Sequence, residues 1–302
     1  MADESVCEAT GKPRWLSYLE NNLLDDVDVD NDQRAILAVF RVMLEAPAGD
    51  ASAVASTSQK IVQYYHGEFL GNSEQVQSWT DRGVMVYINE VAGLALELAA
   101  EVLFPGPEHD KLARFFIAIR DAGPQAFGIK EQDPSFELYD TAVGTAVEEY
   151  WNRCQVPNRE TDADFKTRCE ESISIAALFA KFLEADMLTP RIIQFAAILL
   201  GEALGTAGDK GWKPTTQLGK WCQVAIAMPY ILISGEAVAH QVRSPAAKPL
   251  VYPCGREDWK AWIAAFQRLA ETLPEEAEWG LKEDAKKACE KMQVLLPESA
   301  IE

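Results

Sequence analysis

Apolar residues recur along most of this chain at the spacing of a helix. Ala35, Ile36, Val39, Phe40 and Met43, for example, follow one another at intervals of one or three residues. Such intervals place the side chains on one face of a helix with 3.6 residues per turn. Alternating runs of β-branched residues bounded by hairpin turns do not occur in the sequence, so the pattern predicts an all-α protein without a β-sheet.

Capping residues and prolines mark the ends of these periodic segments. Asp30 and Gln33 have the spacing of a capping box, and Thr189 stands before Pro190 at a helix start. We expect about ten to eleven helices, packed as an irregular bundle around one central apolar helix, 216–243. The predicted helices are 15–23, 31–45, 51–68, 74–103, 108–122, 135–154, 164–185, 190–205, 216–243, 256–272 and 278–295.

The length of 302 residues allows one large domain or two small ones. No low-complexity linker separates two parts of the chain. We therefore expect a single all-α domain over residues 1–302, with a candidate subdomain boundary in the loop near 155–163.

Charge and cysteine usage narrow the class of protein. The chain has 28 Lys and Arg against 47 Asp and Glu, a net charge of −19, which argues against nucleic acid and anionic membranes as partners. Residues 1–14 lack the apolar stretch of a signal peptide, and the six cysteines show no CxxC spacing. We expect a cytoplasmic protein with free buried thiols. The apolar stretch 221–240 contains Glu236 and His240, which are costly in lipid, so a buried helix is expected there instead of a membrane span.

Metal and cofactor motifs are missing from the sequence. An EF-hand that began at Asp26 would place Asn31 where glycine is needed and Leu37 where the bidentate glutamate is needed. The acids between Asp25 and Asp32 lack the second motif of a magnesium–diphosphate site, so we interpret them as a solvated loop before a helix. The three histidines are dispersed, and no Walker, GxGxxG, GxSxG or HExxH motif occurs. We expect no metal and no cofactor.

Five stretches of the chain carry a resemblance to a known family. They are 105–120 (PGPEHDKLARFFIAIR), 163–186, 190–205, 230–239 (YILISGEAVA) and 259–273. In this order they resemble a fungal all-helical family catalogued as domain of unknown function 3632, over roughly residues 75–295. The resemblance implies a fungal, intracellular origin and an all-α fold. It implies no catalytic residues.

The candidate catalytic residues are Glu236 and His240. They are four residues apart, hence on one face of the central helix, where burial and mutual pairing can bring both pKa values toward neutrality. With Gln223 they should be buried and satisfied either by a ligand or by neighbouring groups. Two interpretations stay open. The residues could form an acid–base pair in a pocket, or they could be structural, as a buried Glu–His hydrogen bond or with Glu236 tying neighbouring helices together.

Aromatic residues supply the candidate ligand-binding set. Trp221, Tyr230, Trp259 and Trp262 lie in or near the central helix and could form the wall of an apolar pocket. The proline-rich loop 244–256 is a candidate lid over that pocket.

Two functions fit these features. The first is a cofactor-independent enzyme of fungal secondary metabolism that binds an apolar small molecule. It would be a cyclase, isomerase or lyase, and cycloaddition on a terpenoid or polyketide is one reaction of this class. The second is a non-enzymatic helical scaffold or regulator whose acidic surface binds a basic protein partner. A closed cavity with convergent polar groups would favour the first. An exposed apolar patch larger than a few hundred Å² would favour the second.

Overall fold

The structure, a computed structural model, describes residues 11–24, 31–69, 80–129, 138–153, 160, 163–206, 213–244 and 254–297. Every regular element within these residues is helical, with twelve α-helices, so the all-α prediction is confirmed. The chain folds into two compact units, unit 1 (Met1–Gln155) and unit 2 (Val156–Glu302). The division falls at the start of the loop 155–163, of which the structure describes residues 160 and 163.

Unit 1 is built around its longest helix. The described α-helices of this unit are α1 (Arg14–Asn22), α2 (Asn31–Glu45), α3 (Ala51–Tyr64), α4 (Thr80–Glu101), α5 (Pro107–Ala122) and α6 (Leu138–Arg153). Helix α4 contacts α1, α2, α5 and α6. By length and composition its segment Gly83–Glu101 could cross a membrane, but 67% of that window is buried within the protein, as in the core helix of a folded domain.

An aromatic cluster joins α3 to α4 in unit 1. The predicted helix 51–68 is α-helical to Tyr64 and continues as a π-helical turn, Tyr65–Phe69, which carries Tyr65 into the core. The Tyr65 ring lies 5.3 Å from that of Tyr87 and 5.5 Å from that of Phe127. The Tyr87 hydroxyl donates a hydrogen bond to the Ile61 carbonyl at 2.8 Å, so the buried phenol is satisfied.

Unit 2 surrounds one apolar helix. Its described α-helices are α7 (Phe165–Glu184), α8 (Thr189–Leu204), α9 (Gln217–Leu232), α10 (Gly235–Arg243), α11 (Arg256–Thr272) and α12 (Leu281–Leu295). Helix α9 packs against α7, α8, α10 and α12, and each of its residues from Cys222 to Ile231 is buried. Helix α9, the first part of the predicted helix 216–243, is thus the central helix of unit 2, whereas the prediction made it central to the whole chain.

The predicted helix 216–243 is wrong in one respect, because it is two helices. Helices α9 and α10 meet at an angle of 79°. Ser234 and Gly235 occupy the bend, where the Ser234 hydroxyl donates to the Tyr230 carbonyl at 3.1 Å. The Lys291 ammonium donates to the Leu232 carbonyl at 2.8 Å. A Ser–Gly pair and a side-chain cation that binds the last carbonyls are established causes of a helix end.

Candidate functional site

Among the described residues of unit 2, one cavity lies against the start of α9 and another lies beside the bend between α9 and α10. The first, which we call the Trp221 cavity, has a volume of about 550 Å³. Its size falls within the range of ligand pockets, roughly 300–1,000 Å³. The residues that line it come from α8, α9, α11, α12 and the segment after α11: Ala203, Gln217, Lys220, Trp221, Gln223, Val224, Leu269, Thr272, Leu273, Pro274 and Leu281.

The first two turns of α9 build one wall of this cavity. Gln217, Lys220, Trp221 and Val224 have the spacing i, i+3, i+4 and i+7, so one helical face presents all four. This face combines an amide, a cation, an indole and an aliphatic group. The wall can therefore contact both an apolar body and a polar group of the same ligand.

Hydrogen bonds at the N-terminus of α9 fix the start of this wall. The Thr216 hydroxyl caps the helix by accepting from the Gly219 backbone N–H at 3.0 Å. The Glu160 carboxylate accepts from the backbone N–H groups of Thr215 at 2.8 Å and Thr216 at 2.5 Å. A negative charge at a helix N-terminus also interacts favourably with the helix dipole. These bonds hold the first turn of α9, which carries Gln217 and Lys220.

Leucines and a proline form the opposite wall. Leu269 and Thr272 lie in the last turn of α11, Leu273 and Pro274 follow it, and Leu281 opens α12. The chain turns there because Trp279 and Gly280 take the left-handed backbone conformation, with φ of 58° and 65°. The sequence predicted a helix that begins at residue 278. Because of this turn, α12 begins at Leu281 instead.

Trp221 is the aromatic residue of the predicted set that lines a cavity. Its side chain is half-buried, and its indole N–H is buried without a hydrogen-bond partner among the described residues. Gln223 is 7% exposed, so its predicted burial is confirmed.

Tyr230, Trp259 and Trp262 lie in the core of unit 2, each 0% exposed. None of the three is among the residues that line either cavity. The Trp262 indole N–H donates to the Thr206 hydroxyl at 3.0 Å. The Trp259 indole N–H and the Tyr230 hydroxyl have no partner among the described residues, and burial raises the pKa of the Tyr230 phenol. In these positions the three side chains pack in the core and support the helices that line the cavities.

Glu236 and His240 are exposed, so their predicted burial is wrong. The bend before α10 turns this helix so that Val238, Ala239 and Val242 face the core. Glu236 and His240 consequently share the opposite, solvent-facing side of α10. Neither forms a hydrogen bond or an ion pair with a described residue. The second interpretation, a structural hydrogen bond between them or from Glu236 to a neighbouring helix, therefore has no counterpart among the described residues.

Both residues line the second cavity, which we call the Glu236 cavity and which has a volume of about 400 Å³. Several of its polar groups already have structural partners. Lys291 caps the end of α9, and Asp186 accepts from the Thr189 hydroxyl at 2.7 Å. The lining residues are Leu183, Glu184, Asp186, Thr189, Ile193, Ile233, Ser234, Glu236, Ala237, His240, Gln241 and Lys291.

Other candidate features are placed as follows. Most of the acidic loop (25–30) and most of the predicted lid (245–253) lie outside the described residues. Asp32 accepts a hydrogen bond from the Tyr64 hydroxyl. Among the residues that the structure describes, no group of three or more His, Cys, Asp or Glu side chains is placed to hold a metal ion.

Comparison of the chain with protein-family models, with curated proteins and with solved structures finds no match. The resemblance to the fungal family stays a prediction. The geometry of the two cavities is the basis for the functional argument.

Proposed function

We propose that unit 2 binds an apolar small molecule in the Trp221 cavity. The observation that carries the proposal is a cavity of about 550 Å³ whose aliphatic and indole walls are interrupted by a few amide, hydroxyl and ammonium groups. Apolar walls with a small number of polar groups are the usual composition of a ligand site. The helical face that begins at Gln217 brings both kinds of group to one side of the ligand.

We propose that the Trp221 cavity binds a ligand, and we assign no catalytic residue to this cavity. Lys220 is the one titratable side chain among the described residues that line the Trp221 cavity. The predicted acid–base pair, Glu236 and His240, lines the Glu236 cavity instead. A general acid or base must come within hydrogen-bond reach of the reacting atom. A cyclase, isomerase or lyase step by these two residues would therefore belong to a ligand in the Glu236 cavity.

The exposed surface favours a small-molecule ligand over the scaffold function for unit 2. Val294 is the single large apolar side chain that is exposed among the described residues of this unit. Isolated apolar side chains are normal on protein surfaces, whereas docking sites for proteins expose contiguous patches. The described surface of unit 2 thus lacks the apolar patch that a scaffold would use.

Calorimetric titration of the full chain with 1-decanol, a neutral molecule with an apolar body, tests the proposal. In the variant Ala203→Phe the new ring would occupy the cavity, so we expect the decanol affinity to fall by about ten-fold or more. Ala264→Phe is the matched control, because Ala264 is exposed on α11 and does not line the cavity. Equal decanol binding by the wild type and Ala203→Phe would contradict the proposal.

A further inference from the structure

The Trp221 cavity differs in charge from the protein as a whole. The chain carries 47 acidic residues and a net charge of −19. Of the described residues that line this cavity, none is acidic and one, Lys220, is a cation. A ligand in this cavity therefore meets a positive side chain on a protein whose overall field is negative.

The cation of this cavity has no partner among the described residues. Lys220 forms no ion pair with a described residue, and its side chain is exposed. It shares one face of α9 with Gln217, Trp221 and Val224, so its side chain neighbours both an amide and apolar groups of the lining. Lysine stems commonly lie along apolar surface while the ammonium stays in water. An ammonium in that position can bind an anionic group at the mouth of the cavity.

The acid at the start of α9, Glu160, forms no ion pair with Lys220. The Glu160 carboxylate is bound by the backbone N–H groups of Thr215 and Thr216, and it does not line the cavity. The remaining polar groups of the lining are the amides of Gln217 and Gln223 and the hydroxyl of Thr272. Amides and hydroxyls can donate hydrogen bonds to a carboxylate.

The Glu236 cavity provides a contrast within the same unit. Its lining contains Glu184, Asp186 and Glu236, and its one lysine, Lys291, donates to two backbone carbonyls at the end of α9. An anion would be repelled there. These two cavities, as lined by described residues, thus have opposite preferences for charge.

Building on the proposed function, we propose that the ligand of the Trp221 cavity is an apolar monocarboxylate. Its hydrocarbon body contacts the leucine and indole walls. Its carboxylate faces Lys220, with the neighbouring amides as hydrogen-bond donors. Because the ammonium is exposed, the charge selects the ligand and contributes modestly to the affinity.

Three ligands with the same ten-carbon chain separate the contributions of charge and apolar surface: decanoate, 1-decanol and decyltrimethylammonium. Titrated into the full chain at low ionic strength, decanoate should bind most tightly and decyltrimethylammonium least tightly. Lys220→Gln should weaken decanoate by about two- to five-fold and leave decanol unchanged. Added NaCl should weaken decanoate binding to the wild type but not to Lys220→Gln. Lys286→Gln, at an exposed position of α12 outside the lining, is the control and should change neither ligand.

The outcomes distinguish this inference from the proposed function. Equal affinities of decanol and decanoate for both the wild type and Lys220→Gln, with both ligands weakened by Ala203→Phe, would overturn the carboxylate and leave the apolar site standing. Tighter binding of decyltrimethylammonium would overturn it as well. Failure of Ala203→Phe to weaken any of the three ligands would overturn the site itself.

Discussion

The Glu160 carboxylate occupies the space that a side chain at Gly219 would need. A Cβ atom on Gly219 would lie 2.6 Å from Glu160 Oε2 and 2.8 Å from its Cδ. Gly219 is the third residue of α9, and its backbone N–H already donates to the Thr216 hydroxyl. The absence of a side chain there lets an acid from outside the helix reach the backbone amides at its start. The wall of the Trp221 cavity therefore depends on this glycine.

A double-mutant cycle tests this relationship. Alanine is the better helix former, but Pro214 Cβ at 3.0 Å crowds the new methyl group in either background. Gly219→Ala should therefore gain less than about 1 kcal/mol when Glu160 has first been replaced by alanine. In the wild type the new Cβ displaces the carboxylate from the amides, and this loss offsets the gain. We expect a coupling of about 1 kcal/mol between the two substitutions, measured by urea unfolding. Effects that add to within about 0.3 kcal/mol would contradict the steric relationship.

The same carboxylate should make stability depend on pH. Partial burial raises the pKa of Glu160, but the hydrogen bonds from Thr216 and Thr215 outweigh it, so the pKa lies below its ordinary value. A lowered pKa in the folded state means that the stabilisation is complete above the unfolded-state pKa, about 4.3, and is lost as the pH falls through the folded-state pKa.

Glu160→Gln removes this titration. We expect the wild type to exceed Glu160→Gln in unfolding free energy most clearly above about pH 5, with the difference shrinking as the pH falls toward about 3. Denaturant unfolding of both proteins across this range measures the difference. A difference that stays constant from neutral to acid pH would show that the ionised carboxylate contributes nothing.

Helix positions were predictable because the spacing of apolar residues is a local property. Helix α9 is one of the most apolar segments, and its burial followed from composition. The bend at Ser234 and Gly235 was missed, since the apolar pattern continues across it and an averaged hydropathy conceals two polar or small residues. The exposure of Glu236 and His240 depends on the direction of the chain after that bend, which the sequence does not encode locally.

The candidate site was predictable only in part, for a related reason. Trp221 was found as an aromatic residue at the edge of an apolar helix. Lys220 and Gln217 were missed, although their spacing with Trp221 is the signal that could have found them. The leucines around Leu269 and Leu273 could not be found, because the cavity exists only where the end of α11 meets the start of α9.

A buried lysine in unit 1 gives a stability test. Lys111 is 3% exposed, and its ammonium donates to the Leu44 carbonyl at 2.9 Å and to the Ala46 carbonyl. It thereby caps the C-terminus of α2. Lys111→Met keeps the length and leaves both carbonyls unpaired, so we expect a loss of about 1–3 kcal/mol in unfolding free energy. Lys60→Met, at an exposed position of α3, is the control and should stay within about 0.5 kcal/mol of the wild type.

Because Glu236 is exposed, its substitution should change the stability much less than the substitution of Lys111. Since it has no hydrogen bond or ion pair with a described residue, Glu236→Gln should change the unfolding free energy by less than about 0.5 kcal/mol. It should also leave the affinity for 1-decanol unchanged, because Glu236 lies outside the Trp221 cavity. Denaturant unfolding and calorimetry measure the two quantities. A loss as large as that of Lys111→Met would show that Glu236 is buried in solution.

The cysteines of the described residues should be unreactive in the folded protein. Cys169, Cys222, Cys254 and Cys289 are free and buried, as the sequence predicted. Burial raises the pKa of the Cys222 thiol, and a hydrogen bond with Cys169 raises it further. Burial, with the Asp258 charge as a smaller contribution, raises the pKa of Cys254 to about 12. Because the thiolate is the reactive form, both thiols should resist alkylation in the folded state.

A short pulse of iodoacetamide near neutral pH, followed by peptide mass spectrometry, tests this prediction. We expect no label on Cys222 or Cys254 in buffer and full label on both in guanidinium chloride, because unfolding restores both the exposure and the ordinary pKa of a thiol. Prior treatment with a phosphine reductant should not increase the label on the four described cysteines of the unfolded protein, since these four thiols are free. Labelling of Cys222 in buffer as fast as in denaturant would mean that α9 is accessible to solvent, and the Trp221 cavity would then lack the rigid wall on which the proposed ligand site depends.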